Sequence, residues 1–136
     1  MKRPGSGPIG VFDSGLGGLT VLKALCQQLP GEDFLYFADQ AHCPYGGQSV
    51  AAVQARAVAI TDALLEADVK LIVVACNTAT IAAISMLRAR YRLPFVGMEP
   101  AVKPARALTR SGVIGVLATP GSLSGDKFQQ LVATHA

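Results

Sequence analysis

Residues 69–80 read "VKLIVVACNTAT": an apolar run reaches a single cysteine and turns at once into Asn-Thr-Ala-Thr. A continuous apolar run of this length is what a strand shows when a parallel sheet is covered on both faces. The polar switch at Asn77 and Thr78 reads as the start of a helix extending to about Arg90. A cysteine at a strand-to-helix junction lies beside unpaired backbone N–H groups and the positive end of the helix dipole, and both favour its thiolate. A buried cysteine also packs as a small, inert hydrophobe, so the neighbourhood of Cys76 decides what it is for.

Outward from this stretch the same alternation repeats. "PIGVFDS" (8–14) reads as a first strand, followed by a helix with Leu19, Leu22, Cys26 and Leu29 on one face. "DFLYFAD" (33–39) reads as a second strand, and the polar loop "QAHCPYGGQS" (40–49) leads into a helix where Val53, Ala57, Ile60 and Leu64 recur at helical spacing. Past the helix after Cys76 come a short strand "PFVG" (94–97), a helix near Ala101 to Arg110, a strand "GVIGVLAT" (112–119) and a last helical pattern with Phe128, Leu131 and Val132. Apolar runs alternating with helical periods specify the α/β class with a parallel sheet.

Composition narrows the function. A length of 136 residues allows one ordinary domain or a domain with part of another attached. A hydrophobic share of 51% against 15% charged residues describes a globular chain with a real core. Twelve Lys and Arg against nine Asp and Glu are scattered along the chain, and with 6% aromatic residues and no Trp they give no argument for nucleic acid. No segment approaches the roughly 18 apolar residues of a membrane span. "MKRPGSGP" has Gly, Ser and Pro where a signal peptide carries its apolar region, so the expected location is cytoplasmic. Cys26, Cys43 and Cys76 are widely spaced with no CxxC pair, which indicates neither a disulfide framework nor a zinc site.

The polar clusters "DSGLGG", "ADQAHCPYGG", "CNTAT" and "ATPGSLS" all follow strands. In open α/β sheets that carboxyl edge is where ligands bind. Phosphate loops do not fit: Gly10 and Gly15 have the Walker spacing, but Leu16 stands where its lysine belongs. Gly15 and Gly17 suit a dinucleotide fingerprint and Asp39 would suit a ribose, yet Thr20 takes the last glycine position and Asp13 would aim a carboxylate at the pyrophosphate. A cysteine phosphatase needs Arg where Ala82 stands, and a papain-like hydrolase needs a placed histidine, with only His42 and His135 available. Asn77 and Thr78 instead offer side-chain and helix N-terminal donors to an anion beside the thiol.

"IGVFDSGLGGLTVL", "ADQAHCPYGG", "VVACNTAT", "GMEPAVKPA" and "GVLATPGS", in this order and spacing, resemble the glutamate racemases of the cofactor-independent aspartate/glutamate racemase superfamily. The resemblance runs from about Ile9 to the last residues; Thr20 and Ser122 differ from the family's usual Ser and Thr but keep the hydroxyl. It implies two Rossmann-like (flavodoxin-like) α/β three-layer sandwiches facing each other across a cleft. Residues 1–97 are then a first α/β domain carrying Asp13 and Cys76, and 98–136 the beginning of a second, incomplete one. It also implies two catalytic cysteines, the second in a Gly-Cys-Thr-His type motif that does not occur in these residues. The chain thus resembles roughly the first half of such an enzyme.

By this resemblance Cys76 is the acid/base on one face of the substrate and Asp13 orients the thiol or assists its deprotonation. Ser14, Asn77 and Thr78 are substrate donors, Tyr45 and Gly46 substrate contacts, and Thr119 and Ser122 a hydroxyl pair from the second domain. Cys43 belongs to the substrate-binding loop, and Lys103, in "EPAVKPA", reads as structural or linking. The implied activity interconverts L- and D-glutamate for peptidoglycan synthesis, with no cofactor, no metal, no nucleic-acid or membrane partner, and a homodimer as the expected assembly. The alternative is a non-catalytic fragment that keeps a carboxylate pocket.

Overall fold

The computed structural model describes residues 6–135. The basic opening of the chain, and with it the reading against a signal peptide, lies largely outside them. Four parallel strands form one sheet: β1 (Ile9–Asp13), β2 (Phe34–Ala38), β3 (Leu71–Val74) and β4 (Phe95–Gly97), in the order β2-β1-β3-β4. This is the strand order of flavodoxin-like doubly wound sheets. β1 is paired on both sides, with Val11 opposite Tyr36 and Val73. The helices are α1 (Leu19–Gln28), α2 (Val50–Glu66), α3 (Asn77–Arg90), α4 (Val102–Leu108), α5 (Pro120–Ser124) and α6 (Asp126–His135).

Strand alternation divides the core in two. Phe12, Ile72 and Val74 face α2 and α3, where they meet Val53, Ala57, Ile60, Leu64, Ile84 and Leu87. Ile9, Val11, Val73 and Ala75 face the other way, towards Val21, Leu22 and Leu25 of α1. The periodicity of α2 selects the side chains that are buried, and α3 spans the residues expected of it. Gly10 sets the spacing of one layer, since a Cβ there would lie 3.2–3.3 Å from Leu64, Ile72 and Val69.

Three sequence expectations are corrected. The stripe of α1 that packs on the sheet is Val21, Leu22 and Leu25, each partly buried, whereas Leu19, Cys26 and Leu29 are exposed. Both stripes have helical spacing. The phase is fixed where the helix begins: the Gly18 N–H is bound by Asp13, and a Cβ on Gly18 would lie 2.8 Å from Asp13 Cβ and 3.0 Å from Ala75 Cβ. "GVIGVLAT" (112–119) forms no strand. A strand exists only through its ladder, and among the described residues none of the four strands pairs with this stretch. Its Val113 and Leu117 are exposed. α4 is shorter at both ends than the expected Ala101 to Arg110.

After this unpaired stretch, α5 packs on α3 and on the 3₁₀ turn Tyr45–Gly47, and α6 packs on α4, α5 and α3. No helix among the described residues is long and apolar enough to cross a membrane.

The contrast between the fully buried Ile72 and the exposed Leu117 is measurable. Ile72→Ala should lower unfolding free energy by about 2–5 kcal/mol. Leu117→Ala should change it by no more than about 0.5 kcal/mol. Urea unfolding of both variants checks the pair, and comparable losses would mean that 112–119 is packed in solution.

Candidate functional site

The carboxyl ends of β1 and β3 are adjacent strand ends, so the polar residues following them are brought together. Asp13 closes β1 and is 6% exposed. Its Oδ1 accepts the Ser14 N–H at 2.8 Å and its Oδ2 accepts the Gly18 N–H at 2.8 Å. The carboxylate therefore satisfies free amides of the β1–α1 turn just where the positive end of α1 favours an anion. No Lys or Arg forms a salt bridge with it among the described residues.

Cys76 caps α3. Its backbone is still extended, and its Sγ accepts the Ala79 N–H at 3.4 Å, as an N-cap oxygen would. The residue is 8% exposed. The thiol also lies 3.6 Å from Ser14 Oγ, within reach of a weak S–H···O hydrogen bond, and Ser14 Oγ is 3.5 Å from Asp13 Oδ1. Thiol, hydroxyl and carboxylate thus follow one another across the two strand ends. Tyr36 of β2 borders the group, its hydroxyl donating to Gly15 O at 3.3 Å. Burial, then the negative charges available to Asp13 and Cys76, holds the Tyr36 phenol above its ordinary range.

A second group lies in the first turn of α3. Thr78 Oγ1 is 3.2 Å from Thr119 Oγ1 and 3.3 Å from Ser122 Oγ, and Thr119 donates to Ser122 at 2.9 Å. Thr119 is also the N-cap of α5, accepting the Ser122 N–H at 3.3 Å. Gly46 fits against it because it has no side chain: a Cβ there would fall 2.5 Å from Thr119 Cγ2. Asn77, the first residue of α3, is exposed, as is Lys103 on α4. Cys43 is exposed, with its Sγ 3.3 Å from where a Gly15 Cβ would stand. A cavity of about 570 Å³ runs between α2, α3, α5 and α6, bordered by Tyr45, Thr78 and Lys127; Cys76 and Asp13 do not line it.

Asp39 does not stand free for a ribose. It is 4% exposed and its two oxygens are shared by three side chains. Arg56 donates from Nε to Oδ2 and from its terminal nitrogen to Oδ1, both at 2.9 Å. The buried Tyr45 hydroxyl donates to Oδ2 at 2.5 Å, and His42 Nδ1 is 2.9 Å from Oδ1. Burial pushes the Asp39 carboxyl up, but the hydrogen bonds from Arg56, Tyr45 and His42 outweigh it and bring it down to about 2. The Tyr45 phenol is raised, by burial and then by its bond to Asp39. Sequence reading did not find Arg56, because nothing local ties a helix arginine to a carboxylate 17 residues earlier.

The Asp/Glu/Hydantoin racemase family model matches residues 9–136. The chain is similar to the glutamate racemase of Ectopseudomonas mendocina, 58% identical over 130 residues, covering 95% of this chain and 49% of the relative. It is 54% identical over 129 residues to the glutamate racemase of Herpetosiphon aurantiacus, covering 95% and 51%. Its fold is similar to the crystal structure of Escherichia coli glutamate racemase in complex with L-glutamate and the activator UDP-MurNAc-Ala, with a TM-score of 0.88 at 40% identity, covering 95% of this chain and 49% of that one. The chain spans about half the length of the curated relatives it matches.

The Asp39 cluster gives a pH signature with a definite sign. A carboxyl held at about 2, against an ordinary 3.8, contributes stability that is complete above the ordinary value and disappears as pH falls through the lower one. The contribution is about 2 kcal/mol. The stability gap between wild type and Asp39→Asn should therefore be constant from pH 7 to about 5 and shrink by about that amount towards pH 2. Urea unfolding across this range measures it, and a constant gap would contradict the assignment.

Proposed function

The chain belongs to the Asp/Glu/Hydantoin racemase family, and we propose that it is the first half of a glutamate racemase, with Cys76 as the acid/base for one face of the substrate. The observation that carries the reading is the Cys76 thiol at the N-cap of α3, 3.6 Å from Ser14 Oγ, which in turn adjoins the buried Asp13 carboxylate. Residues 98–136 begin the second α/β domain, whose remainder supplies the opposed cysteine.

The chemistry follows from what racemisation requires. One base takes the α-proton from one face, and an acid must deliver a proton to the other. Cys76 as thiolate removes the α-proton of D-glutamate: an S–H bond forms, the Cα–H bond breaks, and its electron pair moves into the substrate carboxylate. The opposed cysteine protonates Cα from the far side, giving L-glutamate, and the reverse reaction exchanges the roles. Thiols suit this work because their acidity is near neutrality and is tuned by neighbours. Asp13, fixed by two amides, orients Ser14 and through it the thiol. With no cofactor invoked as electron sink, fixed donors carry the developing charge. Ser14, Asn77 and Thr78 fill that role, with Tyr45 and Gly46 bounding the substrate and Thr119 and Ser122 reaching it from the second domain. The product D-glutamate supplies peptidoglycan in the bacterial cytoplasm, and the protein assembles as a homodimer.

Residues 1–136 incubated in D₂O with each enantiomer test the thiol assignment. Deuterium should enter D-glutamate at Cα without inversion, because proton loss and return on one face keep configuration. Cys76→Ala should reduce the exchange rate about 100-fold or more, whereas Cys43→Ala should leave it near wild type. Equal exchange in wild type and Cys76→Ala would remove Cys76 from the chemistry. Saturable D-glutamate binding without exchange would favour a carboxylate-binding fragment.

A further inference from the structure

Arg56 meets Tyr45 at a shared oxygen of Asp39, and through them it is connected to the other residues assigned to glutamate by a continuous set of close contacts. It stands on α2, whose buried face is anchored in the core by Val53, Ala57, Ile60 and Leu64. Both nitrogens of its fork meet both oxygens of Asp39 at 2.9 Å. Asp39 accepts the Tyr45 hydroxyl at 2.5 Å, and Tyr45 is buried. The next residue, Gly46, lies against Thr119, whose hydroxyl is 3.2 Å from that of Thr78.

The loop between β2 and α2 has only two 3₁₀ turns, Gln40–His42 and Tyr45–Gly47, and no sheet ladder. Past the Asp39 N–H, which donates to Asp13 O at 2.9 Å, its placement rests largely on side chains, and the bidentate pair is the one charged link from it to a long core helix among the described residues. We propose that Arg56 is a positioning residue: its fork fixes the orientation of Asp39, Asp39 fixes Tyr45, and Tyr45 sets Gly46 and Thr119 against Thr78 at the carboxylate-binding side of the site. The effect on ligand rests on the glutamate reading above; the effect on the loop does not.

Charge and geometry are separable here. Neutralising a buried carboxylate needs only a cation, and Lys supplies one. Fixing the plane of that carboxylate needs two parallel N–H donors, which Lys lacks. The experiment compares Arg56→Lys, Arg56→Gln and a control, Arg88→Gln, whose side chain donates to Phe95 O away from the loop. Each full chain is assayed for urea midpoint, for amide hydrogen exchange at 45–48 by NMR, and for D-glutamate affinity by NMR titration.

Arg56→Lys should keep a near-wild-type midpoint while exchange at 45–48 rises and D-glutamate affinity falls, each about tenfold, the equivalent of one lost charged hydrogen bond. Arg56→Gln should lose midpoint as well, and Arg88→Gln should leave loop exchange and affinity unchanged. Restoration of loop exchange and affinity by Lys would overturn the proposal in favour of simple charge neutralisation. A wild-type chain that does not bind D-glutamate would overturn the glutamate reading and the ligand part of the proposal; unchanged exchange at 45–48 in Arg56→Lys would overturn the positioning role itself.

Discussion

The buried Asp13 carboxylate, pinned by the Ser14 and Gly18 amides, is the interaction on which this sheet edge depends. It ends β1, satisfies the free N–H groups of the following turn and holds the beginning of α1 against the sheet. The turn closes only because residue 18 has no side chain, with Asp13 Cβ, Ala75 Cβ and the Tyr36 hydroxyl all within 3.0 Å of where one would stand. The same anchoring leaves Ser14 facing the Cys76 thiol. Helix phase and site geometry are thus consequences of one buried group.

The two buried carboxylates of this edge are solved differently. Asp39 is neutralised by a guanidinium and further bound by a phenol and an imidazole, so its charge is spent on holding a loop. Asp13 is met by backbone amides and a serine hydroxyl, partners that stabilise a charge without cancelling it. Only the second arrangement adjoins the thiol, through Ser14 Oγ.

Much of this was legible in the sequence wherever one local signal had one physical meaning. The run Leu71–Val74 is apolar throughout because α1 covers one face and α2 and α3 the other. Cys76, Asn77 and Thr78 read as a helix start because capping is local chemistry. The stripe of α1 was misread because two apolar stripes share the helical spacing, and a tertiary contact at Gly18 chooses between them. "GVIGVLAT" was misread because strand formation depends on a partner that the segment's own residues do not encode. Arg56 was invisible for the opposite reason: its partner is specific, but distant in the chain. The meeting of Thr78 with Thr119 and Ser122 is likewise tertiary.

The unpaired stretch 112–119 has a colloidal consequence. "VIGVLA" (113–118) is uncharged, proline-free and rich in β-branched residues, the composition of segments that recruit their own kind into intermolecular sheets. Past Val113, whose N–H is bound by Ser111 and whose carbonyl is bound by Thr109, backbone with no ladder partner can offer donors and acceptors to a neighbouring molecule. Arg106 and Arg110 just upstream, and Pro120 just after, act as gatekeepers against that association. With a net charge of only +3, the chain has little long-range repulsion to help them. Self-association through this segment should therefore strengthen as salt screens the two arginines.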